Sequence, residues 1–413
     1  MQADLIIKNA AQIVTAQTTT DFSPASLKII EDGALVIHEG KIVWVGEIHK
    51  LPSEIQRKPK TSVLDAHGKT VTAGFVDAHT HPIFFGTRED EFEMRVMGKS
   101  YEEIAQAGGG IRSSVRSLRN ASREQLIQAA LPRLDTFLAH GTTTIEAKSG
   151  YGLSLEDEIK SLEVIAELNN LHPVDLVPTF LGAHEIPDEY RSNKQAYIDL
   201  IIQEMIPEVV ENKLAEFCDV FCEAHVFNAQ ESRKILQAAK EAGLKLKIHA
   251  DQLTHNGGAQ LAAELQAVSA DHLEFTDEKD WQAMLDSKVV PVLLPGAVFF
   301  IGKSQYARAR EMLQVGLPVA IATDFNPGTC MTESMPLIMT LSCLQLKLTP
   351  AEALIASTYH SALAIDRGNK IGTLEVGKKA DVVIWDVPNY KHLAYHFGVN
   401  LANTVIKNGK IVW

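Results

Sequence analysis

The stretch Gly74-Phe75-Val76-Asp77-Ala78-His79-Thr80-His81 constrains this chain more than any other. It ends an apolar run, Val71 to Val76, in two histidines one residue apart. On an extended strand, positions i and i+2 point to the same face. His79 and His81 can therefore reach one ion together, where a buried strand gives way to a loop.

The other strand-like runs decide what kind of body carries that pair. At 413 residues the chain exceeds what one small core holds. Between residues 72 and 323, short apolar runs alternate with helical patterns. Candidate strands lie at 72–79, 142–147, 174–181, 219–225, 244–249, 267–272, 289–294 and 319–323. Helical patterns lie between them, as in Ser122 to Leu138, Leu155 to Leu168 and Ala229 to Ala242, where Gly243 is a stop signal. Eight strands with intervening helices is the count for a (β/α)8 TIM-like barrel. A doubly wound open sheet is the competing architecture, but no Gly-x-Gly-x-x-Gly follows the first strand.

Both ends of the chain read differently. Ala34 to Ile37 and Ile42 to Val45 flank the turn Glu39-Gly40, and Thr404 to Ile406 and Ile411 to Trp413 flank Asn408-Gly409. Two all-β pieces at opposite ends predict a small composite β-sandwich; two unrelated terminal hairpins are the alternative. The expected division is 1–65 and 361–413 for the sandwich and 66–360 for the barrel.

Net charge is −13 with no basic patch, which argues against nucleic acid. Met1-Gln2-Ala3-Asp4 opens without a basic and apolar leader, and no apolar run approaches the roughly 20 residues that span a bilayer. No membrane association is expected. Four cysteines, Cys218, Cys222, Cys330 and Cys343, predict reduced thiols in a cytoplasm. Cys218, Cys222 and His225 lack a fourth ligand of matching spacing, so buried thiols are expected there rather than a structural zinc site.

A barrel enzyme builds its site where strands run into the following loops. The polar residues at those positions are His79 and His81 after strand one, Glu146, Lys148 and Tyr151 after two, His184 after three and His225 after four. His249 and Gln252 follow strand five, His272 six and Asp324 eight. One histidine at a strand end is ordinary. Repeated at strand after strand in a chain with 15 histidines, the pattern points to a shared site. Imidazole and carboxylate donors suit zinc or iron; an all-oxygen set would suit magnesium or calcium. Such a metal lowers the pKa of bound water towards about 7.

The set His79-x-His81, His249, His272 and Asp324, at the ends of strands one, five, six and eight, resembles the amidohydrolase superfamily. Gly372-Thr-Leu-Glu-Val-Gly-Lys-Lys-Ala-Asp381 is similar to that superfamily's C-terminal segment, and many members carry a composite β-sandwich. The resemblance covers nearly the whole chain. The flanking stretches His81 to Arg88, Tyr101 to Ile111, Glu146 to Gly152, Phe180 to His184, His249 to Gln252 and Asp324 to Thr329 resemble the members that act on an imidazolone ring carrying a propanoate.

That resemblance implies hydrolysis of 4-imidazolone-5-propanoate to N-formimidoyl-L-glutamate, in histidine degradation. It implies His79, His81, His249 and Asp324 as ligands of one divalent or trivalent metal ion per subunit, zinc or iron. Binuclear relatives use a carbamylated lysine, and Lys148 follows the wrong strand for that role. Asp324 can also accept a proton from water. His272 is expected to orient or deprotonate that water or to polarise the substrate carbonyl, and His184 to donate a hydrogen bond. Arg88 is the expected partner of the propanoate, against a bland reading as an ion pair with Glu89 or Asp90. Tyr151, Gln252, Asn326, Gly328 and Thr329 complete the substrate contacts, and Gly108 to Gly110 is expected near the mouth. The family implies a homodimer acting on a small molecule. Competing readings are a nucleobase or cyclic-amidine deaminase and a non-catalytic barrel scaffold. Glu102, Glu103 and Glu156 to Glu158 are expected on solvated helix faces or at caps.

Overall fold

A computed structural model describes residues 2–18, 22–53, 55–99, 103 and 108–413, with only the backbone at 56–60. Eight parallel strands follow one another in chain order: Phe75–Asp77, Thr142–Lys148, Asp175–Ala183, Phe217–Cys222, Lys245–Ala250, Ser269–His272, Val290–Leu293 and Ala320–Ile321. The first and last meet just beyond their ends. Asp324 N donates to His79 O at 3.1 Å, and His81 N donates to Phe325 O at 2.8 Å. Beneath that seam the Asp77 carboxylate accepts from Thr323 N at 3.0 Å and Thr323 Oγ1 at 2.6 Å. These bonds close the barrel and decide against the open sheet.

The run expected as one strand over 72–79 is two. Thr70–Ala73 belongs to a second sheet, and Phe75–Asp77 begins the barrel. Gly74 sits between them, where any Cβ would overlap the Thr143 side chain. The chain can pass this close to the barrel only without a side chain there.

The second sheet is mixed and drawn from both ends of the chain. Gln2–Gln17 pairs antiparallel with Ser26–His38 and parallel with Gln56–Asp65 and Thr70–Ala73. Val382–Trp385 pairs with Thr70–Ala73, and Ala402–Lys407 with Val382–Trp385. Both predicted hairpin turns have two left-handed residues: Glu39 and Gly40 at φ 48° and 73°, Asn408 and Gly409 at 48° and 76°. That is the type I′ geometry which matches strand twist. The two turns meet at Ala380, whose N donates to Gly40 O at 2.8 Å and whose O accepts from Gly409 N at 2.9 Å. The sheet thus curls over a core of its own that includes Ile13, Leu35, Ile42, Val71, Val382 and Ile406. The terminal pieces form one composite module.

Trp385 joins the two bodies. It is fully buried, packs at 5.1 Å from the Phe75 ring and donates Nε1–H to Thr72 Oγ1 at 2.8 Å. Helices cover the barrel, and side chains cap their starts: Ser122 and Gln125 form a capping box for Arg123–Ala139, and Ser154 caps Leu155–Leu171. Among the described residues no helix is long and apolar enough to cross a membrane.

Candidate active site

At the C-terminal ends of the barrel strands lies a cavity of about 720 Å³. His81, Arg88, Tyr151, His184, His249, Gln252, His272, Asp324, Asn326, Gly328 and Thr329 all line it. His79 is sealed beneath, with no exposed surface. His225, after the fourth strand, lines the cavity as well, so seven different strand ends open onto it.

The histidine pair converges as the strand geometry requires. The Nε2 atoms of His79 and His81 are 3.3 Å apart, and each lies 3.5 Å from Asp324 Oδ1. His79 also clusters with His249 and His272, their ligand atoms lying within 4.8 Å of one another. Burial holds His81 and His184 at about 3 and His249 at about 4, and drives His79 well below the usual range. Neutral imidazoles have a nitrogen lone pair to give, so this donor set can hold a metal ion. The nitrogen-rich composition suits a transition metal rather than magnesium or calcium. Asp324 adopts a left-handed conformation at φ 53°, and burial raises its pKa. His272 differs from its neighbours: burial disfavours its charge, but Glu274, whose Oε1 is 3.7 Å from Nδ1, helps raise its pKa.

Beneath the histidines is a fully buried ionic layer made of Glu146, Lys148, Asp219, Lys247 and Asp271. His79 donates Nδ1–H to Asp271 Oδ2 at 2.6 Å, and His249 Nδ1 lies 2.9 Å from Asp219 Oδ2. Carboxylates in this position fix the tautomer and the ring orientation of a metal-ligating histidine. Asp219, Lys247 and Asp271 were missed in the sequence. The available signal was a charged residue sharing a strand face with another polar group, as in Glu146-x-Lys148 and Lys247-x-His249.

Buried acids also shape the loops above. Glu158 was expected on a solvated helix face or at a cap; it has no exposed surface. Its carboxylate accepts from the backbone N of Gly150, Gly152 and Leu153 at 2.8–3.2 Å, which holds the loop carrying Tyr151. The helical period places Glu158 inward, and unpaired loop N–H groups need an acceptor there. Glu223 does the same for Leu253 and Thr254, and Asp251 for residues 256–259. Asn326 turns its amide onto its own loop, accepting from Gly328 N at 2.8 Å and Thr329 N at 2.7 Å.

Arg88 donates Nη2–H to Glu91 Oε2 at 2.6 Å, so its ion-pair partner is neither Glu89 nor Asp90. Glu91 Oε1 also accepts from Gly110 N at 3.0 Å, tying the Arg88 loop to the end of the glycine run. The ring of His184 stacks on His81 with centroids 5.1 Å apart. Its Nδ1–H donates to Gly150 O at 2.8 Å. Cys218, Cys222, Cys330 and Cys343 are all free thiols, and Cys218 and Cys222 are buried. Tyr101, Glu102 and residues 104–107 of the Tyr101 to Ile111 stretch lie outside the described residues.

Comparisons with known proteins bear on the family and the fold. The model of the amidohydrolase family matches residues 70–412. The imidazolonepropionase of Alkaliphilus metalliredigens (strain QYMF) is 48% identical over 416 residues, covering 100% of this chain and 98% of the relative. That of Thermoanaerobacter pseudethanolicus is 50% identical over 413 residues, covering 99% and 97%. Among solved structures, guanine deaminase of E. coli is similar at a TM-score of 0.72 and 18% identity, covering 99% of this chain and 98% of the other. A triazine hydrolase variant is similar at 0.75 and 15%, covering 98% and 94%. At such identities these structures speak for the fold alone.

Proposed function

The chain belongs to the amidohydrolase family, and from that premise we propose that it carries out the imidazolonepropionase reaction. Water opens the ring of 4-imidazolone-5-propanoate to give N-formimidoyl-L-glutamate. The observation that carries this reading is one cavity onto which His81, His249, His272 and Asp324 of the histidine–aspartate cluster open together with Arg88. A hydrolase needs the first; a substrate with a propanoate needs the second.

His79, His81, His249 and Asp324 would hold one metal ion per subunit, zinc or iron. Bound there, it would activate water and polarise the ring carbonyl. Water adds to the carbonyl carbon, the ring carbon–nitrogen bond breaks, and that carbon becomes the α-carboxylate of the product. Asp324 and His272 face the same space and are the groups that take the proton from water and return it to the leaving nitrogen. His184 has a different task from the one its type suggests. Its Nδ1–H is engaged by Gly150 O and burial keeps the ring neutral, so Nε2 is an acceptor for a ring N–H. Arg88 binds the propanoate, with Tyr151, Gln252 and Thr329 around the ring and the Asn326–Gly328 turn shaping the wall.

The reading extends to a cytoplasmic homodimer, with residues 1–65 and 361–413 as one β-unit and 66–360 as the barrel. Free thiols fit a reducing compartment. Exposed Leu344, Tyr395 and Phe397 supply apolar surface that a second copy can cover. The test is direct: incubate the protein with 4-imidazolone-5-propanoate and follow the loss of ring absorbance, before and after chelation. Turnover that stops on chelation and returns with added metal is expected. Absence of turnover by the metal-loaded protein overturns the reading.

A further inference from the structure

Lys148 and Lys247 have no exposed surface. Lysines are almost never fully buried unless paired, because removing an ammonium from water is costly. Lys247 is placed by Glu146 Oε2 at 3.1 Å and by Ala78 O at 2.9 Å. Lys148 is placed more unusually. Its Nζ lies 2.7 Å from Asp219 Oδ2, 2.8 Å from Glu146 Oε1 and 3.7 Å from Asp271 Oδ2.

Two of those three carboxylates lead directly to the metal-site candidates. Asp271 Oδ2 is the atom that accepts from His79 Nδ1–H, and Asp219 Oδ2 is the atom facing His249 Nδ1. One ammonium thus contacts both carboxylate oxygens that face the cluster's histidines. Glu146 has other anchors, Thr179 Oγ1 at 2.6 Å and Lys247, and does not need Lys148 to stay in place. A lysine present only to pair a buried charge needs one partner; this one joins two that come from different strands.

We propose that Lys148 is a positioning residue for the metal centre, holding Asp219 and Asp271 so that they aim the rings of His249 and His79. The inference rests on the ligand set given under the proposed function. Without the ammonium, Asp219 loses its one lysine partner among the described residues, and Asp271 keeps only Lys247, whose Nζ lies 3.8 Å from the same Oδ2 and is shared with Glu146. The two carboxylates would turn apart, and the imidazoles would lose the partners that set ring rotation and tautomer.

The test is metal affinity, measured on the full-length protein by competition with a chelator, using zinc and then cobalt(II), whose visible spectrum reports ligand geometry. Lys148→Met is expected to bind about 10–100-fold more weakly and to show an altered cobalt spectrum, with the metal-free protein folded by circular dichroism. Equal affinity and an unchanged spectrum in that variant overturn the proposal and leave the ligand assignment standing. No zinc or cobalt bound by the unmodified protein would instead overturn the ligand assignment. Should Lys148→Met fail to fold, the charge-balanced pair Lys148→Met with Asp219→Asn is compared with Asp219→Asn alone. Weaker binding by the pair supports the role through Asp271, and equal binding refutes it.

Discussion

The guanidinium of Arg88 lies directly on Gly328, where a Cβ would overlap Nη1. The second arginine of the same segment, Arg95, donates to Gly328 O at 3.1 Å. A single glycine therefore sets how far into the cavity Arg88 can stand. Gly328→Ala is expected to displace the guanidinium and raise KM about tenfold or more, the range of one charge-assisted hydrogen bond. Because Arg88 is the end of a flexible side chain, the melting temperature should change little. Unaltered KM would show that Arg88 does not touch the substrate.

Arg88 also separates the proposed reaction from deamination of a nucleobase, whose substrates usually lack a carboxylate. Arg88→Ala should raise KM for the propanoate by about 10–100-fold, and Arg88→Lys should recover only part of it, since ammonium cannot form the planar fork. Steady-state kinetics with 4-imidazolone-5-propanoate measure both.

His249→Ala and Asp324→Asn should each abolish most activity and lower metal content while the barrel stays folded. Neither side chain is needed to close the barrel, which depends on backbone bonds at 79–81 and 324–325 and on Asp77. Metal analysis beside circular dichroism checks this; unfolding of both variants would make the site structural.

Glu158 tests whether the Tyr151 loop depends on a buried acid. Glu158→Ala leaves the N–H groups of Gly150, Gly152 and Leu153 without their acceptor. At about 1–3 kcal/mol for each buried polar group left unsatisfied, a loss of several degrees in Tm and a raised KM are expected. Glu158→Gln retains an acceptor oxygen and should be milder on both measures. If the two variants behave alike, the carboxylate is not what orders the loop.

His360 gives a pH dependence independent of the active site. Its Nδ1–H donates to Val319 O at 2.8 Å, and its Nε2 accepts from Ala25 N at 3.0 Å. Protonation would set N–H against N–H. Burial accordingly holds its pKa at about 4, below the ordinary 6.5. A depressed native pKa contributes stability above pH 6.5 that is lost as pH falls through about 4, because the unfolded chain takes the proton first. The contribution is about 3 kcal/mol. The Tm difference between the protein and His360→Gln should shrink as pH is lowered from 7 to 4.5; a constant difference would contradict the assignment.

Much of the architecture was legible because it is written in local patterns. The His79-x-His81 spacing put two imidazoles on one face, and their Nε2 atoms stand 3.3 Å apart. Asn408-Gly409 and Glu39-Gly40 named their own turns. What the patterns did not reveal was which apolar run ends where: residues 72–79 read as one strand, but Thr70–Ala73 and Phe75–Asp77 belong to two sheets, because Gly74 is a junction only in view of Thr143. Glu158 looked solvated beside Glu156 and Asp157, and burial turned it into a loop anchor.

The sequence by itself determined the period, the turns and the chemical types at strand ends, since each depends on neighbours a few residues apart. Only the tertiary structure decided that Asp271 faces His79, that Asp219 faces His249 and that Lys148 stands between the two aspartates. Those pairings join residues up to 192 positions apart. Barrel closure brings them into contact, and exclusion of water makes each charge there depend on its partners.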